Sequence, residues 1–136
     1  MTMNSELLAG FSDEIPFENV VWSSIPDAPG VYVIYEKSEV LYVGMAGRDG
    51  DGSLRKRLRD HASGQVVNMF AQYLFLARVQ FVETERITHP HAAKLACRRY
   101  IRERCALRYR VMPGAYEARA LENSLKRELK PALNAT

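Results

Sequence analysis

The spacing of apolar positions changes period several times along the chain, and each change marks an element. Residues 30–36 (GVYVIYE) and 39–44 (EVLYVG) are rich in β-branched and aromatic side chains. They predict two strands joined by a tight reversal centred near Lys37. Pro26, Pro29 and Gly30 punctuate the entry to the first strand. AGRDGDGS (46–53) reads as a loop, and Ser53 is placed to cap a helix over about 54–63 that ends near Gly64. Leu54 and Leu58 mark its buried stripe; Arg57 and His61, four apart, share another face. Residues 66–75 are ambiguous between a short helix and irregular chain. FLARVQFVET (75–84) alternates at Phe75, Ala77, Val79 and Phe81 and predicts a strand. Residues 91–106 predict a helix with Ala92, Leu95, Ala96 and Cys105 inward and an outward stripe of Lys94, Arg98 and Arg102. LRYRV (107–111) predicts a strand, and Pro113–Gly114 a turn. A last helix over about 116–130 has Ala118, Leu121, Leu125 and Leu129 inward, and Pro131 ends it.

These elements make an α/β (α+β) domain: a small three-stranded antiparallel sheet with helices around it. The 136 residues, 47% of them hydrophobic, suffice for one domain with its own core over 1–136. Residues 1–24 form an N-terminal arm anchored by Phe17 and Trp22. Residues 65–106 add a strand and a helix to the central unit. No apolar run approaches the roughly 18 residues of a membrane span. The start MTMNSELLAGF has no basic flank and no long apolar stretch, unlike a secretory signal. Cys97 and Cys105, eight apart, read as buried thiols, so a reducing cytoplasmic location is expected.

Net charge is only +3, but it is unevenly distributed. Residues 1–39 hold seven acids and one base; residues 40–136 hold eighteen bases and nine acids. A basic body of this kind suits a polyanionic partner, with Arg55, Lys56, Arg98 and Arg102 as candidate phosphate contacts. A solvated charged surface is the plainer account of the same stripe. His89, His91 and the cysteines fit no common zinc spacing.

The chemistry gathers on the hairpin. Tyr32 and Tyr42, ten apart across the reversal, are expected side by side on one sheet face. Gly30 and Gly44 flank them and leave the backbone open to a ligand. Paired phenols there suit contact with a phosphate or a water.

PGVY followed by LYVG resembles the GIY-YIG nuclease domain. LRKRLRDH (54–61) is similar to that family's arginine-bearing helix, and LENSLKRELKPALN (121–134) to its closing segment. The blocks occur in the family's order and cover about 25–64 and 107–134. The lead-in IPDAPGVY is most similar to the N-terminal incision domain of the bacterial nucleotide-excision-repair nuclease. Residues 65–106 match nothing in the family and read as a variable insertion. Met45 stands where the repair nucleases carry lysine, and the 46–53 loop is longer than theirs.

The resemblance implies a metal-dependent endonuclease acting on DNA. Tyr32 and Tyr42 match the motif tyrosines, Arg57 the essential arginine, and His61 a His/Tyr position. Glu122 matches the metal-binding glutamate and Asn134 the late asparagine, with Asn134 and Gly44 positioning the substrate. One carboxylate suffices for Mg²⁺ or Mn²⁺, whose other positions go to water and phosphate. Arg57 would grip the scissile phosphate. Tyr32 is the expected general base, and the two tyrosines are interchangeable in that role. Ionising a phenol at neutral pH costs about 4 kcal/mol, so an alkaline optimum is expected. Glu117 is the rival carboxylate, on a different face of the helix. The rival function is a non-catalytic nucleic-acid-binding module. RNA as partner and a homodimer are both compatible with these residues.

Overall fold

A computed structural model of the chain describes residues 6–47, 52–65 and 68–134. Parts of the arm, of the 46–53 loop and of the insertion fall outside that range. The sheet contains β1 (Ile15–Pro16), β2 (Gly30–Glu36), β3 (Glu39–Ala46) and β4 (Cys105–Val111). It is antiparallel with order β1-β4-β2-β3. The expected three strands are its body; the fourth, β1, is a two-residue addition from the arm beside Ala106 and Leu107.

The β2–β3 turn is two residues long, with Lys37 in the left-handed region at φ 56°. Ile34 pairs with Tyr42 but Tyr35 pairs with Val40, so Leu41 is an extra residue, a β-bulge. The outer edge of β3 is closed by the chain's last described residues. Ala132 and Leu133 donate to the Val40 and Leu41 carbonyls, and the Asn134 carboxamide bonds both backbone groups of Val43, at 2.8 and 2.9 Å.

Among the described residues, four helices flank the sheet. α1 (Leu54–Ala62) begins at Ser53, whose hydroxyl accepts from the Lys56 N–H. α2 (Met69–Leu74) is capped by Asn68 and runs on through a π-helical turn, Phe75–Val79, into a single α turn, Gln80–Val82. α3 spans Pro90–Arg104 and α4 spans Ala115–Leu129. One sheet face packs Tyr32, Ile34 and Leu107 against α1, α2 and α3; the other packs Val31, Val33, Tyr35 and Val43 against α4.

Residues 75–82 are helical, not a strand. Of the alternating set only Val79 is fully buried, and Phe81 is 75% exposed, so the alternation never formed a face. The sheet also offers this segment no place at β3, whose edge the C-terminal tail occupies. On α3 the inward residues are Ala93, Ala96, Cys97, Tyr100 and Ile101, while Ala92 and Leu95 face outward. Cys105 opens β4 rather than closing the helix. Both cysteines are free and buried, as expected.

Candidate active site

The bulge at Leu41 decides where the tyrosines point. In an unbulged hairpin with this two-residue turn, Tyr32 would oppose residue 43, leaving Tyr42 on the opposite face. The extra residue shifts the register by one, so Tyr32 lies opposite Gly44 and Tyr42 joins it on the same face. Their rings stack at 6.4 Å, with 27° between planes. The space above Gly44 holds the Tyr32 phenol: a Cβ there would lie 2.3 Å from its oxygen. Gly30 serves packing too, since a Cβ would meet the Arg110 carbonyl at 2.3 Å and Leu54 at 2.6 Å.

α1 brings two further groups to the phenols. The Tyr32 hydroxyl lies 2.5 Å from His61 Nε2, and both residues are buried. The Arg57 guanidinium, one turn earlier on α1, brings its charge to the same hydroxyl. When the imidazole proton sits on Nδ1, the phenol O–H donates to Nε2. Nδ1 is buried without a closed hydrogen bond, and the Asn68 side chain is the polar group facing the ring. Phe70 of α2 completes the cluster, 5.3 Å from the Tyr42 ring and 5.2 Å from His61.

Burial sets the acid–base state. It is the largest effect on Tyr32 and raises the phenol well above the ordinary tyrosine range; the Tyr42 field adds to it, and Arg57 opposes it without prevailing. For His61, burial and then the Arg57 charge lower the imidazole to about 3. The resting pair is therefore neutral phenol and neutral imidazole. Arg57 itself is raised, chiefly by the field of Tyr32.

Glu122 approaches from α4. It is buried, bridged to Lys126 at 3.5 Å, and its charge reaches Tyr32. Glu117 is exposed in the first turn of α4. No group of three His, Cys, Asp or Glu side chains able to hold a metal occurs among the described residues. A lone buried carboxylate with a cationic neighbour still fits a hard divalent ion completed by water and phosphate.

The remaining candidates spread outward. Asn134 clamps β3 at Val43, beside Tyr42. Met45 is buried against the α4 face, away from Tyr32. Arg55 is engaged by the backbone, donating to Ile25 O at 2.9 Å and Ser23 O at 3.3 Å. Lys56 is exposed and lines a polar groove of about 550 Å³ with Arg55 and Arg59. Arg98 donates to Ser63 O at 3.1 Å, tying α3 to the end of α1, and Arg102 is exposed. Neither arginine belongs to the aromatic cluster. Sequence reasoning missed Phe70 and Asn68, which lie in the segment read as insertion. Their one signal is the Asn68 cap ahead of an apolar run.

The family model for the GIY-YIG catalytic domain matches residues 24–136. No curated protein matches the chain. The match covers all four regions of the cluster, from the hairpin to Asn134, and the chain belongs to the GIY-YIG family. Its domain is of nuclease type, with nucleic acid as the substrate this implies. The match carries no assignment to the excision-repair branch.

Proposed function

We propose that this GIY-YIG domain is a divalent-metal-dependent endonuclease that hydrolyses DNA phosphodiester bonds at the Tyr32–His61–Arg57–Glu122 cluster. The observation that carries the reading is the Tyr32 hydroxyl, 2.5 Å from His61 Nε2 with the Arg57 and Glu122 charges in range. Glu122 is the residue that would hold Mg²⁺ or Mn²⁺, which when bound supplies charge neutralisation at the phosphate and the leaving oxygen.

Arg57 is the exposed member and receives the scissile phosphate, its planar fork matching two oxygens. Burial raises the Tyr32 phenol and so works against a preformed tyrosinate. Tyr32 acts as a relay instead. The attacking water gives a proton to the Tyr32 oxygen while the phenol passes its own proton to His61 Nε2. A phosphate on Arg57 neutralises the guanidinium that disfavours imidazolium, so substrate binding itself makes His61 a better acceptor. Tyr42, half-buried beside Tyr32, orients the water or the phosphate.

The test is incubation of labelled duplex, single-stranded and forked DNA with the protein and Mg²⁺ or Mn²⁺, beside Glu122→Ala. Metal-dependent cleavage that disappears in the variant supports the nuclease. Binding without cleavage in every arm supports the non-catalytic module instead.

A further inference from the structure

We infer that the cavity between α2 and the C-terminal tail is a subsite for one unpaired nucleobase of the substrate strand. The inference rests on the nuclease reading and adds a substrate class to it: single-stranded or locally opened nucleic acid. The cavity has a volume of about 350 Å³ and is lined by Tyr73, Leu76 and Ala77 on one wall and Ala132, Leu133 and Asn134 on the other.

Both walls are tied to the catalytic cluster. On α2, Phe70 packs against Tyr42 and His61, and Tyr73 follows one turn later, about 5 Å along the axis. On the tail, Leu133 and Asn134 are bonded to Leu41 and Val43, the residues on either side of Tyr42. Within the proposal, the strand whose phosphate rests on Arg57 runs past Tyr42 and Phe70 and places a neighbouring nucleoside at the cavity mouth.

The lining says what kind of group enters. Tyr73 presents a half-buried ring, and Leu76 is 59% exposed at the lip. The Asn134 oxygen and amide are both engaged by Val43, so side-chain capacity for reading a base edge is small. A ring face beside apolar walls binds by stacking, which tolerates any base. Arg127 and Lys130, exposed just ahead of the tail, supply charge for the backbone of such a strand. A base paired in an intact duplex is already stacked and cannot enter.

The test is a binding measurement in EDTA, where no metal-dependent cleavage competes. Wild-type protein is titrated with a short oligothymidylate, with an abasic strand of the same length and charge, and with duplex. Oligothymidylate should bind about tenfold more tightly than the abasic strand. Tyr73→Ala should abolish that difference. Because Tyr73 also packs on the core, Ala77→Leu is the second variant: Ala77 is exposed, and the aliphatic side chain fills the cavity from outside without offering a ring to stack on. It too should abolish the preference while leaving duplex affinity unchanged. Equal affinity of wild-type protein for the two single strands overturns the subsite, as does a preference that survives Ala77→Leu. Neither result bears on whether the domain cuts DNA, which the Glu122→Ala comparison reads separately.

Discussion

Acid should destabilise this protein through His61, and the size of the effect follows from its burial. The imidazole titrates at about 3 in the folded chain, against an ordinary value of about 6.5. Between those limits the unfolded state binds a proton that the folded state refuses. Stability is thus fully present above about pH 6.5 and is lost as pH falls toward 3. The displacement corresponds to about 5 kcal/mol in total, of which about 3 kcal/mol is gone by pH 4. That is a large share of a domain's stability. The assay is urea unfolding followed by fluorescence of Trp22, the single tryptophan, at successive pH values from 7 to 4. The comparison is His61→Gln, which cannot titrate but still offers Tyr32 an acceptor. The variant should be less stable at pH 7, through imperfect packing, yet lose stability more slowly on acidification, by up to about 1.4 kcal/mol per pH unit. The two curves should converge toward pH 4. Parallel curves, or an imidazole NMR signal titrating near 6.5, would refute the reasoning.

Gly44→Ala should lower kcat/KM by about 100-fold, because the new methyl displaces the Tyr32 phenol from His61 Nε2; its stability loss should be only about 1–3 kcal/mol. The pH dependence of kcat/KM should show no alkaline rise from Tyr32 between pH 6 and 9, since that phenol is raised and His61 is already neutral there; a unit slope across this range would instead mean that free tyrosinate is the base. Tyr100→Phe should cost about 2 kcal/mol in denaturant unfolding, because its hydroxyl donates to Glu36 at 2.7 Å in the network that Arg78 closes at 3.1 Å.

Most of the fold was legible wherever sequence and burial share one period. The hairpin, α1, α4 and β4 fall within a residue or two of their expected bounds, since apolar spacing and punctuation agree there. Arg57 and His61 were expected on one helix face, and both reach Tyr32. Residues 75–82 were misread because alternation is a statement about faces, and a short apolar run carries no face until its neighbours are known. Phe75, Ala77 and Phe81 alternate in the sequence but do not share one environment in the fold. The phase of α3 failed for a related reason: alanines lie on both its sides, and Tyr100 rather than Leu95 fixes the inward one through Glu36.

The hairpin shows most clearly what spacing alone leaves open. Two residues ten apart share a sheet face or oppose each other depending on the parity of the turn and of any inserted residue between them. Here the turn is two residues long, a parity that would separate the tyrosines, and Leu41 restores them to one face. Nothing in EVLYVG marks Leu41 as the bulged residue, since it is as apolar as its neighbours. The displacement it causes is absorbed by the tail, where Leu133 donates to the Leu41 carbonyl and Asn134 holds Val43. The register that aims Tyr42 at Tyr32 is therefore stabilised from ninety-one positions away in the sequence. On this account the late asparagine contributes to the site by fixing the strand on which a phenol stands.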